Sequence, residues 1–209
     1  GVDWNGSDVG THLIVTEFDG NQYIVLTKEV IKAGDFTQHE SIERIMALDK
    51  SYDADYIYVD AGYGQVQVEM MHKIGIANPG TRWRSKVKAY NFASKIDIRD
   101  PRTGALVKKA AKPFMVNVTC LQLEQNRLLL PVSEDTQIIV DDLQEGGIQQ
   151  GLVQQMRNFE ILRYSSTGLP TYSQGEEHTL IAYMLSIVGF LLEFSDMAQI
   201  KNVIGMAIT

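Results

Sequence analysis

At Tyr56-Ile57-Tyr58-Val59-Asp60-Ala61-Gly62 a short apolar run stops at an aspartate and a glycine-containing turn, and Gly1-Val2-Asp3-Trp4-Asn5-Gly6 does the same at the start of the chain. A strand that ends in a carboxylate points its charge out of the edge of a sheet, where a cation is held without being buried. Two such strands side by side make half of a metal site. If the two strands run parallel and adjacent, Asp3 and Asp60 meet at neighbouring strand ends, which is where open α/β sheets place their chemistry.

Working outward, residues 12–19 and 22–31 read as two β-rich runs joined at Asp19-Gly20-Asn21, a strong hairpin signal. Thr37-Gln38-His39-Glu40 is a capping box, and Ile42, Ile45, Met46 and Tyr52 follow it at helical spacing. That helix leads to the Asp60 strand. A second helix is expected over 65–74, a strand over 86–92, a loop around 100–104, and a helix over 113–124 with Pro113 in its first turn. A short strand over 127–131, a helix over 148–159, a strand over 160–164 and a loop over 165–175 come next. Ser173-Gln174-Gly175-Glu176 reads as a second capping box opening a final helix that runs to about Phe194. Three leading strands with a hairpin, followed by βα units, describe an α/β fold: a mixed central sheet with helices on both faces.

The 209 residues are 44% hydrophobic, enough for one sizeable core in a single domain spanning 1–209. The start at Gly1, without an initiator methionine and already strand-like, suggests a fragment of a longer protein. The longest apolar run, Leu180 to Phe194, is broken by Ser186, Gly189 and Glu193 and falls short of the ~20 residues a membrane span needs. Cys120 is the only cysteine, which excludes an intrachain disulfide and a cysteine zinc cluster.

The formal net charge is −7, yet ten basic residues between Arg82 and Lys112 face only Asp97 and Asp100. That segment is +8 and the rest of the chain −15. A basic segment on an acidic body binds a polyanion locally while the body stays soluble. Arg82, Arg84, Lys86, Lys88, Lys108, Lys109 and Lys112 are its candidate phosphate contacts, against the bland reading of a lysine-rich solvated loop. Trp83, between two arginines, either stacks on nucleic acid or pins the loop to the core.

A third ligand for the aspartates has to come from elsewhere. On the final helix Glu177 shares a face with Ile181, Met184, Val188 and Leu191, the stripe that packs on the sheet, with His178 at its edge. Glu176 points further to solvent, where an acid in a first turn serves the helix dipole. Oxygen ligands without a cysteine cluster favour Mg²⁺ or Mn²⁺, two ions a few Å apart. His12, His39 and His72 have no partner at ligand spacing. Gly62-Tyr63-Gly64 is too short for a dinucleotide fingerprint, and the chain has no Walker motif.

Gly-Val-Asp3-Trp, Tyr-Val-Asp60-Ala-Gly-Tyr-Gly, Lys112-Pro113-Phe114-Met115, Arg127-Leu-Leu-Leu-Pro131 and the Glu177-His178 pair follow one another as in phage terminase large subunits. Nearly the whole chain resembles their C-terminal nuclease domain, which is ribonuclease H-like. The resemblance implies a two-metal endonuclease that cuts concatemeric viral DNA during genome packaging, with Asp3 and Asp60 on the ions. The last motif of that family often reads Asp-His-x-x-Asp. Here it is Glu177-His178-Thr179-Leu180-Ile181, so Glu177 or His178 must take the third role. The implied partners are double-stranded DNA, an N-terminal ATPase domain of the same protein, the portal and the small terminase subunit, in the host cytoplasm and away from membranes. Two other readings compete: a non-catalytic DNA-docking module on the same fold, and one lobe of an actin-like or sugar-kinase phosphotransferase.

Overall fold

The computed structural model describes residues 1–4, 10–31, 37–100, 102–130, 151–173 and 177–193. Its centre is a six-stranded mixed sheet. β1 (Val2–Asp3) lies between β2 (Thr11–Phe18), antiparallel to it, and β4 (Ile57–Asp60), parallel to it. β3 (Tyr23–Ile31) continues the hairpin from β2, β5 (Val87–Tyr90) extends the parallel side beyond β4, and β8 (Leu128–Leu129) closes the other edge against β3. The order β5-β4-β1-β2-β3-β8, with β2 alone reversed, is that of a ribonuclease H-like sheet.

Alternation along the strands decides which helices cover which face. Val2, Trp4, Leu13, Ile57 and Val59 turn one way and pack with Ile42 and Ile45 of α1 (Gln38–Tyr52) and with Val68 and Met71 of α2 (Ala61–Ala77). Ile14 and Tyr58 turn the other way, against α4 (Ala111–Glu124), α5 (Leu152–Asn158) and α6 (His178–Glu193). α6 is buried nearly all round, so the apolar run over 180–193 is a core helix rather than a membrane span. Among the described residues no helix is long and apolar enough to cross a membrane.

Four segments differ from their sequence reading. α2 begins at Ala61, directly after β4, because the Asp60 carboxylate accepts from Gly62 N at 3.0 Å and caps the helix. A one-turn helix, α3 (Trp83–Lys86), precedes β5. The expected loop near 100–104 is the tip of a hairpin between β6 (Lys95–Arg99) and β7 (Leu106–Ala110). Part of the expected 165–175 loop is β10 (Pro170–Tyr172), paired with β9 (Ile161–Tyr164). Ser173 binds that second hairpin, accepting from Glu160 N and donating to Asn158 O, instead of opening α6. Asn5, Gly6, Pro101, residues 131 and 148–150, Gln174, Gly175 and Glu176 of the second capping box, and Phe194 lie outside the described residues.

Candidate functional site

Asp3 ends β1 and Asp60 ends β4, and the parallel pairing of Val2 with Val59 brings the two aspartates to adjacent strand ends. Each follows a residue of the α1–α2 core, so alternation turns both carboxylates to the α6 face. Both are largely removed from solvent, with Asp3 3% and Asp60 9% exposed. Burial pushes the Asp60 carboxyl up to about 6; the Asp3 charge pushes the same way, while the Gly62 N–H bond opposes both. The pair holds negative charge in poor solvent, which is the condition that favours an incoming cation.

α6 enters over this pair. The Glu177 carbonyl accepts from Ile181 N at 2.8 Å, so Glu177 is the capping residue and His178 the first helical one. His178 Nδ1 lies 3.0 Å from Asp3 Oδ2, with the carboxylate accepting. Glu177 turns to Lys112 Nζ at 3.3 Å, and the same ammonium sits 5.4 Å from the Phe159 ring and 5.8 Å from that of Tyr172. Of the four expected site residues, Asp3 touches His178 directly and lies near enough to Asp60 for its charge to act on that carboxyl, while Glu177 is engaged by a lysine. Of the expected sheet-facing stripe, Met184, Val188 and Leu191 are buried and Ile181 is half-buried.

His12 belongs to the same cluster, although it has no partner at ligand spacing along the chain. It pairs with Asp3 across the β1–β2 ladder, is buried, and its Nδ1 lies 2.8 Å from Thr179 Oγ1. Its ring is 5.5 Å from that of His178. A signal for it exists in the sequence: two residues before Ile14 on an alternating strand, it faces the way Ile14 does.

The fold is similar to the crystal structure of the large terminase nuclease from thermophilic phage G20c, at a TM-score of 0.52 and 12% identity, over 90% of this chain and 79% of that one. The chain has a terminase-nuclease fold. No family model and no curated protein matches the sequence, so the likeness is one of shape.

On the terminase-nuclease fold the basic segment is split between two ends of the sheet. Arg82, Arg84 and Lys86 lie where β4 and β5 begin, the edge opposite the aspartates. Lys86 is a correction to the expected phosphate contacts. It is 6% exposed, with Nζ 2.6 Å from Asp49 Oδ1 and 3.0 Å from the Ala54 carbonyl, so it has no surface to offer. Trp83 pins the loop to the core: it is buried, and its Nε1 donates to Asp49 Oδ2 at 2.6 Å. Arg84 is exposed, and Arg82 is exposed 3.9 Å from Asp53. Lys88 pairs with Glu193 at the far end of α6. The second half of the segment leaves β5 beside Asp60 and forms the β6–β7 hairpin. Lys108 is exposed there, 4.0 Å from Asp97, and Lys109 is half-buried opposite Ile96. The chain then returns to Lys112 at the start of α4, next to Glu177.

Among the described residues, no three His, Cys, Asp or Glu side chains stand together as a ready metal site. Asp3 and Asp60 nevertheless fit a hard divalent cation: two buried carboxylates on one face, one of them held up in its titration by burial and, to a lesser degree, by the charge of the other.

Proposed function

We propose that the chain is a divalent-metal-dependent endonuclease that cleaves double-stranded DNA, acting on concatemeric viral DNA during genome packaging. One observation carries the reading: Asp3 and Asp60 stand buried side by side at the ends of adjacent parallel strands, on a terminase-nuclease fold. In this reading Asp3 and Asp60 hold Mg²⁺ or Mn²⁺, two ions in all, and Glu177 joins them by exchanging Lys112 for the cation. Such ions, when bound, activate water and stabilise the leaving oxygen of a phosphodiester. His178 orients the Asp3 carboxylate through the 3.0 Å contact at Nδ1. Lys112, freed from Glu177, neutralises a phosphate at the mouth of the site, and the lysines of the β6–β7 hairpin guide the backbone toward it. An ATPase domain of the same protein, the portal and the small terminase subunit are the proposed partners, in the host cytoplasm.

The docking-module reading draws on the engagement of Glu177 by Lys112, which leaves two carboxylates where the nuclease reading needs three. Incubating supercoiled plasmid with the protein and Mn²⁺, with and without a chelator, separates the two. The nuclease reading expects nicked and linear products that disappear with chelator and in Asp3→Asn and Asp60→Asn. Binding without cutting at any metal concentration supports the docking module, and ATP-dependent phosphorylation of a sugar supports the kinase lobe.

A further inference from the structure

Three consecutive residues open α6, and each is tied to a different element. His178 Nδ1 lies 3.0 Å from Asp3 Oδ2 on β1, Thr179 Oγ1 lies 2.8 Å from His12 Nδ1 on β2, and Leu180 N donates to Gln155 Oε1 on α5 at 2.8 Å. The first N–H groups of a helix have no acceptor within it, so Gln155 satisfies one of them from outside. His12, Thr179 and Gln155 are all buried. A buried imidazole and a buried hydroxyl cost free energy unless they bond, and the neighbouring Leu13, Ile14 and Leu180 show that apolar side chains suit this layer. The two imidazoles cross in opposite directions, His178 from helix to sheet and His12 from sheet to helix, with their rings 5.5 Å apart. His12 stands opposite Asp3 across the β1–β2 ladder, on the same face, where paired side chains start only ~5 Å apart. One contact at His178 alone would let the helix start pivot about it. A second, on the next residue and about 100° further round the axis, removes that freedom.

We propose that His12 and Thr179 are positioning residues of the site. Their bond fixes the first turn of α6 so that the His178 imidazole stays on Asp3, and the Asp3 carboxylate keeps one orientation beside Asp60. Neither residue touches the reacting atoms; both act through His178. Groups that orient a ligand from behind in this way typically alter metal affinity or activity by about 10- to 100-fold when removed. As far as cleavage goes, the role rests on the nuclease reading; the hold on His178 does not.

NMR of the whole chain, free of metal and with ¹⁵N-labelled histidine, reads that hold directly. A His178 Nδ1–H bonded to a carboxylate and shielded from water gives a low-field imidazole N–H signal, assigned by its loss in His178→Gln. Thr179→Val keeps the shape and removes the hydroxyl; His12→Leu removes the other partner. Each should speed exchange of the His178 N–H with water at least tenfold, whereas Thr179→Ser, which keeps the hydroxyl, should restore the slow rate. With Mn²⁺ and plasmid, Thr179→Val should lose about 10- to 100-fold in kcat at unchanged KM, and Thr179→Ser should recover it. A parent without the signal, or parental exchange in both Thr179→Val and His12→Leu, overturns the proposal. Equal loss in Thr179→Ser and Thr179→Val also overturns it, because packing rather than the hydroxyl would then hold the helix. A parent that shows the expected NMR pattern and cuts no DNA refutes the nuclease reading and leaves the hold on His178 standing.

Discussion

Asp60 does two things that pull against each other. Its Oδ1 caps α2 through Gly62 N, and its carboxyl is buried beside Asp3, which raises it from 3.8 to about 6. A carboxyl that titrates higher in the folded state binds its proton more tightly there. Stability therefore falls as pH climbs from about 4 to about 6, and the folded protein carries the penalty above that range. The loss amounts to about 2 kcal/mol after partial solvent screening. Asp60→Asn keeps a capping oxygen and removes the charge. Urea unfolding should find this variant more stable than the parent at pH 7.5, equal to it near pH 4, and with a flatter profile between. A second measurement isolates the cation: added Mn²⁺ should raise the melting temperature of the parent by mass action and leave Asp60→Asn nearly unmoved. An equal shift in both would place the ion elsewhere.

At the scale of elements, two glycines set how closely helices approach the sheet. A Cβ on Gly64 in α2 would run into the Trp4 ring, and one on Gly189 in α6 into the ring of Tyr58. Gly189→Ala should cost about 1–3 kcal/mol in chemical denaturation, the range for overpacking a filled core, by lifting α6 off β4. Because α6 also brings His178 to Asp3, the same variant should lose cleavage more steeply than stability.

The elements that sequence alone made legible are those whose signals are local. Asp-Gly between alternating runs predicts β2–β3, and Thr37 with Glu40 predicts the start of α1; in the structure Glu40 N donates to Thr37 Oγ1 at 3.1 Å. What escaped were features whose partners are distant in sequence. Lys86 looks like a surface cation until Asp49, 37 residues earlier, is placed against it. In the β6–β7 hairpin, Ile96 and Ile98 alternate as a strand should, but lysines and arginines crowd the same stretch and hide the period. The site shows the same division: Asp3 and Asp60 stand out from two local patterns, whereas His12 enters only once β1 and β2 are in register and Thr179 arrives on α6.

Over the whole molecule, the sheet sorts the basic segment into two populations that a linear reading joins. Arg82 and Arg84 sit at the edge where the parallel strands begin; Lys108 and Lys112 sit beyond the edge where they end, with the aspartates. Charge reversal at each end is the corresponding experiment. Lys95→Glu with Lys108→Glu should weaken binding to DNA of any sequence, and should shallow the dependence of log affinity on log salt by about 0.9 for each phosphate no longer neutralised. Arg82→Glu with Arg84→Glu should change neither. If the second pair alone mattered, DNA would approach the end of the sheet away from Asp3 and Asp60.

The contact between His178 and Asp3 joins residues 175 apart in the chain. On a ribosome, β1 is made well before α6 and waits through the synthesis of everything between them for the helix that completes its surroundings. The strands that precede α6 emerge without the face that closes over the carboxylates, so a nascent chain carries both aspartates but not the pocket around them. Whatever chemistry this pair performs is withheld until α6 has been made, and the order of synthesis acts as a timer on it.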